Sequence, residues 1–383
     1  MTQQFDGSLQ TFIKTRLRQD IQSMPAYAVQ DAKGLVKLDA MENPHRLSEA
    51  LQAELGKRLG ALALNRYPDG RVNDLRSALA AHAQMPEGFD IMLGNGSDEL
   101  ISLLAMACDV LSGTGQPAVI LAPAPGFVMY AMSAQLQGLQ FIGVPLTADF
   151  ELDEAAMLAA IAEHKPAIVY LAYPNNPTAN LWDDAVIAKI IEAQRLQNGL
   201  VVMDEAYQPF AARSWIDNIR SAPEKHAHVL LMRTMSKFGL AGVRIGYMMG
   251  GKALIAEIDK LRPPYNISVL NCECALFALE HSEVFRQQAL DLVAQRAILL
   301  ESLAMLPGVK AWKSDANMVL VRVLGRDSAD ADAAAKTFDG MKARGILVKN
   351  VSKMHPLLAN CLRLTVGTAD ENRLMLAALK ESL

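Results

Sequence analysis

The segment Arg233-Thr-Met-Ser236-Lys237-Phe-Gly-Leu-Ala-Gly-Val-Arg244-Ile-Gly-Tyr247 sets a lysine beside a serine, with an arginine seven residues on. It follows the strand-like apolar run His228-Val-Leu-Leu-Met232. A lysine amine at a strand end condenses with an aldehyde to a Schiff base. Ser236 and Arg244 are suited to the phosphate of the same molecule, through a hydroxyl and a charged fork of donors. Alone, a Ser-Lys pair reads as an ordinary solvated loop, so its weight rests on the residues upstream.

Leu200-Val-Val-Met-Asp204-Glu-Ala-Tyr207 is a short apolar run ending in an acid, the pattern of a strand buried on both faces. An acid at the carboxyl end of such a strand points into the crevice where open α/β sheets bind ligands. There Asp204 would keep a heterocyclic nitrogen protonated, because a nearby negative charge favours the cationic form; its plainer role is to cap the next helix. Tyr207 is placed to bond a ring hydroxyl. Ala167-Ile-Val-Tyr-Leu-Ala-Tyr-Pro174-Asn175-Asn176-Pro177-Thr178 is a second strand, stopped by Asn-Pro turns, that brings the Asn176 amide to the same edge. In Leu93-Gly-Asn-Gly96-Ser97-Asp98-Glu99, glycines open a helix whose free N–H groups and dipole form a phosphate cup, although Ser97 is equally a plain N-cap. Phe127, after the run 118–122, offers a ring to stack on a flat ligand. Taken together in this order, these residues suit pyridoxal phosphate, an electron sink that the protein orients and tunes.

The elements that must position them follow from the apolar runs. Strands are expected near 91–93, 118–122, 141–144, 167–172, 200–203, 228–232 and 245–249, with helices such as 152–164 and 185–197 between most of them. That alternation predicts an α/β fold with a largely parallel sheet flanked by helices. The last two strands are too close for a helical crossover, so that pair is expected to be antiparallel. Beyond Arg262-Pro263-Pro264 a helical region, 269–303, precedes strands at 318–323, 346–349 and 362–366 and helices at 330–343 and 371–383. The division expected is an arm plus part of a small domain over 1–50, a large cofactor-binding domain over 51–265, and a small C-terminal domain over 266–383. Phe12, Ile13, Leu17 and Ile21 recur at helical spacing in the arm.

The 383 residues carry 20% charged side chains and a net charge of −4, a balance that does not draw nucleic acid. Cys108, Cys272, Cys274 and Cys361 are too few and too scattered for a disulfide framework or a zinc site. No apolar run reaches the length of a membrane span, and the polar start is unlike a secretory signal. A cytoplasmic enzyme without metal, membrane or nucleic-acid partners is the expectation.

These motifs resemble the fold-type I pyridoxal-phosphate aminotransferases, and within them the histidinol-phosphate aminotransferase family. Val36-Lys-Leu-Asp-Ala-Met41-Glu42-Asn43-Pro44 is similar to that family's "KLDANENP" opening, with Met41 where asparagine is usual. Asn65-Arg66-Tyr67-Pro68-Asp69 resembles "RYPD"; Asn175-Asn176-Pro177-Thr178-Ala179 resembles "NNPTG" with alanine for glycine; Cys361-Leu-Arg363-Leu-Thr-Val-Gly367 resembles "LRITVGT". The resemblance implies a seven-stranded large domain and a homodimer in which Tyr67 reaches the neighbouring subunit's cofactor phosphate. It also implies transfer of the amino group of histidinol phosphate to 2-oxoglutarate, giving imidazole acetol phosphate and glutamate in histidine biosynthesis. Lys237 would tether the cofactor and then move the substrate's α-proton. Asn176, Arg363, Lys349 and Tyr27 would contact substrate, Arg363 by its two-pronged grip on an anion and Lys349 where the family commonly has arginine. A related enzyme acting on aromatic amino acids, or decarboxylating threonine phosphate, would share the cofactor residues and stays open on sequence. A cofactor-sensing DNA-binding regulator would need a basic module before Lys37, where the segment is short.

Overall fold

The computed structural model describes residues 2–24, 30–108, 115–325 and 332–383. Residues up to Gly34 form one compact unit and Leu35–Leu383 a second. The first contains two helices, α1 (Thr2–Arg16) and α2 (Gln19–Ser23), with Phe12 and Ile13 on the first, Ile21 on the second and Leu17 between them.

The second unit runs β1 (Val36–Lys37), α3 (Glu49–Gly60), α4 (Arg71–His82), β2 (Phe89–Asn95), α5 (Ser97–Ala107), β3 (Val119–Ala124), α6 (Val128–Gln137) and β4 (Gln140–Pro145). It continues through α7 (Glu154–His164), β5 (Ile168–Ala172), α8 (Asp184–Leu196), β6 (Leu200–Asp204), α9 (Ile216–Ser221), β7 (Val229–Thr234), β8 (Ile245–Gly251) and α10 (Lys252–Asp259). Then follow α11 (Val269–Glu280), α12 (Ser282–Ala304), β9 (Val309–Ala311), β10 (Met318–Val323), α13 (Ala333–Ala343), β11 (Ile346–Leu347), β12 (Lys349–Asn350), β13 (Cys361–Thr365) and α14 (Ala369–Ser382).

Seven strands form one sheet in the order β2-β8-β7-β6-β5-β3-β4. The five strands from β4 to β7 are parallel, while β8 runs antiparallel to both β7 and β2. All seven expected strands are present, and the antiparallel β7–β8 pair is as expected. Every residue of β5 is buried, as are Val201–Asp204 of β6, which is why these runs carry no polar alternation. Helices start where a short side chain accepts from the first free amides: Asp153 for α7, Asp183 for α8, and Thr368 with Glu371 as a capping box for α14.

A four-stranded antiparallel sheet, β12-β13-β10-β9, and a parallel pair, β1-β11, make up the rest. Two expectations are corrected here. The region 269–303 is two helices broken at His281, and 346–349 is two short strands in different sheets.

The topology places the site. All five parallel strands present their carboxyl ends at one edge. With two antiparallel pairings, β2 also ends there and β8 begins there. The residues after β2, β3, β5, β6 and β7, and those before β8, therefore converge.

Candidate active site

Lys237 follows β7 on a π-helical turn, Ser236–Leu240, a local distortion of a kind that often marks functional sites. Its Nζ donates to the Ala40 carbonyl at 2.9 Å and lies 5.8 Å from the centre of the Tyr207 ring. Burial, with Arg363 the next largest influence, lowers its pKa to about 8, against an upward pull from Glu42. About a tenth of the amine is then neutral, and nucleophilic, at pH 7, far more than for an ordinary lysine.

Asp204 ends β6 and is 4% exposed. Oδ2 accepts from the Tyr130 hydroxyl at 2.6 Å, and Oδ1 from the Ala206 amide at 3.0 Å. Burial pushes its pKa up to about 6 although both bonds oppose the shift. Its two donors are neutral, so a cation brought to this carboxylate would relieve the cost of burying its charge. The helix-capping role for Asp204 is corrected: the next helix, a 3-10 turn at Gln208–Phe210, has Tyr207 as its N-cap and no side-chain cap, and the Ala206 bond lies in the turn before it. Phe127, Asn176, Asp204 and Tyr207 line one crevice with Ser97, Pro174 and Ala206.

At the end of β2 the chain turns through Gly96 (φ +77°) into α5. Gly96, not Ser97, is the N-cap, so the plain capping role for Ser97 is corrected: it is the first helical residue. A Cβ at Gly96 would stand 2.6 Å from Arg244 Nη2, and one at Gly246 would stand 2.5 Å from the Gly96 carbonyl carbon. Only glycine lets the guanidinium and β8 come this close to the cup. Arg244 Nη1 lies 3.5 Å from Ser236 Oγ, and Nη2 is 3.4 Å from Asp98 Oδ2. Ser236 is held in turn by its amide on Thr234 Oγ1 at 3.1 Å. The cup, Ser236 and Arg244 thus form one anion-binding group, next to a carboxylate and an amine; the donor set fits a phosphorylated aldehyde with a basic ring nitrogen.

Arg363, on β13, is 8% exposed. It donates to Asn176 Oδ1 at 2.7 Å and, through Nη2, to the Asp39 carbonyl at 2.9 Å. Lys349 is its direct cross-strand partner, so the two cations expected to meet substrate anions are neighbours on one sheet face.

Tyr67 is not brought into this group. It is 77% exposed and stacks on Tyr265 with ring centres 4.6 Å apart. Tyr27 lies outside the described residues. Sequence reasoning missed Tyr130, which reads as one more aromatic on a helix; its nearness in sequence to Phe127, the N-cap of the same helix, is the signal it gave. It also missed the Asp39 and Ala40 carbonyls, which no side-chain pattern reveals. Among the described residues, no group of three or more His, Cys, Asp or Glu is placed to hold a metal ion, and no helix is long and apolar enough to cross a membrane.

Residues 33–379 match the family described as aminotransferase class I and II. The chain belongs to that family. Among curated relatives it is 72% identical to the histidinol-phosphate aminotransferase of Polaromonas naphthalenivorans, over 99% of each chain. It is 67% identical to that of Methylibium petroleiphilum, over 95% of this chain and 94% of that one. Among solved structures, the histidinol-phosphate aminotransferase of Sinorhizobium meliloti in complex with pyridoxal-5'-phosphate superposes with a TM-score of 0.81 at 24% identity, covering 96% and 97% of the two chains. The counterpart from Clostridium acetobutylicum gives 0.79 at 20%, covering 91% and 98%. At these identities the structural likeness speaks for the fold.

Proposed function

We propose that this chain is a pyridoxal-phosphate-dependent aminotransferase that moves the amino group of histidinol phosphate to 2-oxoglutarate. The observation that carries the reading is one crevice edge where Lys237, Asp204, the Gly96–Arg244 anion group and Arg363 meet through Asn176 and Tyr207. The names of relatives 64–72% identical over nearly the whole chain give the substrate.

Bound there, pyridoxal phosphate supplies an electron sink for the carbanion that forms when the substrate loses its α-proton. The protein's own residues do the rest. Lys237 Nζ, partly neutral near pH 7, is the base that takes the α-proton and returns it. The Asp204 carboxylate would pair with the cofactor's ring nitrogen and keep it protonated. Backbone amides at the start of α5, Ser236 Oγ and the Arg244 guanidinium fix the phosphate. Asn176 and Tyr207, which line the crevice, would bond the ring's oxygen. Arg363 is the fork for the substrate's anionic end: the phosphate of the amino donor in one half-reaction, a carboxylate of the keto acid in the other. Lys349 beside it adds a point charge.

The exposed Tyr67–Tyr265 stack is read as a contact with a second copy, Tyr67 reaching the partner's cofactor phosphate. Sedimentation that returned only monomer at micromolar concentration would remove this part of the reading. For the reaction itself, single-turnover rates with histidinol phosphate, phenylalanine and threonine phosphate decide. Histidinol phosphate is expected to be the best donor by a wide margin, and a better rate with either competitor refutes the substrate assignment.

A further inference from the structure

We propose that Tyr130 is a positioning residue for Asp204: its hydroxyl holds the carboxylate in the ionised, aimed form that pairs with the cofactor's ring nitrogen. The inference rests on the pyridoxal-phosphate reading of the site.

The contact is direct. Tyr130 Oη lies 2.6 Å from Asp204 Oδ2, and both residues are buried. A hydroxyl-to-carboxylate bond of this length in a low-dielectric interior is charge-assisted, and it stabilises the charged acceptor more than the neutral one. The Ala206 amide does the same for Oδ1. Each carboxylate oxygen thus has one donor, which fixes its rotation and leaves its remaining lone pairs for the ring. Burial works the other way and favours the neutral acid, so the two donors decide how much of the carboxylate is charged before the cofactor arrives.

Tyr130 is itself set by packing. It stacks on Tyr170 with centres 4.2 Å apart and planes 10° apart, and meets the edge of Phe127 at 5.6 Å. Phe127 lines the crevice. Phe127, the N-cap of α6, would thus offer its ring to the cofactor, while Tyr130 in the first turn gives a donor to Asp204. The charged and titratable groups facing Asp204 are Tyr130 from α6, Tyr170 from β5, Asp98 from α5, and Glu205 and Tyr207 from its own segment. The two carboxylates among them, Asp98 and Glu205, disfavour its charge. Tyr130 keeps its proton, its pKa held well above the ordinary value by burial first and by Asp204 second, so it remains the donor throughout the working range.

The test is cofactor uptake by full-length protein stripped of pyridoxal phosphate, with dissociation constants measured by fluorescence across pH 5–8. In the parent, affinity should fall below about pH 6, where Asp204 takes up a proton. Tyr130→Phe keeps the ring and removes the donor; the break should move up by about one pH unit, weakening uptake about tenfold on the acid side. In an Asp204→Asn background the same change should do little. Tyr170→Phe, whose hydroxyl has no hydrogen-bond partner in the structure, should leave the break in place. Should Tyr130→Phe not fold, 3,5-difluorotyrosine at Tyr130, a stronger donor of nearly the same shape, should move the break down. An unmoved break with either replacement, an equal shift in Tyr170→Phe, or an equal loss in the Asp204→Asn background overturns the inference while uptake itself stands. A parent protein that takes up no pyridoxal phosphate overturns the cofactor reading as well.

Discussion

At the scale of single residues, burial moves the pKa values of two site groups, Lys237 and Asp204, toward neutrality. Lys237 has a lowered pKa of about 8, so its amine gains nucleophilicity as pH rises through that value. The rate at which the stripped protein fixes pyridoxal phosphate covalently should climb between pH 7 and 9, and borohydride trapping with peptide mapping should place the adduct on Lys237. Lys237→Ala should abolish turnover; a variant as active as the parent removes its role. Asp204 is displaced the other way, to about 6 from an ordinary 3.8. The folded state then holds its proton more tightly than the unfolded chain does. Stability of the stripped protein should fall as pH rises from about 4 to about 6, and the full penalty, on the order of 3 kcal/mol, persists above that. Thermal unfolding should find stripped Asp204→Asn at least as stable as the parent at pH 8, with the advantage gone by pH 4. Arg363→Lys keeps the charge but loses the fork and the bond pattern to Asn176 and Asp39. KM for both substrates should rise by about tenfold or more. That Lys237, Asp204 and Arg244 stand at one sheet edge was legible because each adjoins an apolar run that reads as a strand. Tyr130 was not, because its function depends on which buried acid the helix happens to face.

Among the elements, the β2–β8 contact leaves little room for change. Gly246→Ala would push a methyl group to about 2.5 Å from the cup's backbone, which something must move to admit. A loss of about 1–3 kcal/mol is expected from overpacking, together with weaker cofactor uptake because the cup shifts. An alanine variant of unchanged melting temperature and affinity would show that the strands have slack. A second device lies just past the end of β6. Glu205 pairs with Arg233 at 2.9 Å and also accepts from Ser214 and the Trp215 amide. Glu205→Ala strands a buried guanidinium, so a loss of about 3–5 kcal/mol in a denaturant titration is expected. The strands were legible where both faces are buried, because an unbroken apolar run of five or six residues between turn signals fits little besides a buried strand. The two-residue strand β1 was not, since only its pairing with β11 defines it. The break at His281 has no Pro or Gly to announce it. Met41 (φ +53°) and Ala179 (φ +68°) adopt the left-handed conformation, where the resembling motifs place asparagine and glycine, the residue types that suffer least there.

For the unit from Leu35 to Leu383 as a whole, the cofactor is also a ligand of the folded state. At a free concentration of 100 times its dissociation constant it should add about 2.7 kcal/mol of stability. Stripping it should therefore lower the melting temperature by a few degrees and make that temperature depend on added pyridoxal phosphate. An unchanged melting temperature would mean that folded and unfolded chains bind it alike. The convergence of loops at one sheet edge was legible from strand alternation alone. The exposed position of Tyr67 was not, because one chain's sequence does not state what lies beyond its surface.

Two consecutive carbonyls, those of Asp39 and Ala40, accept from Arg363 and Lys237. A short piece of backbone thus works as a crossbar between the group that grips the substrate's tail and the group that handles its proton. Because the two acceptors are adjacent residues, one stretch of chain fixes where both side chains stand.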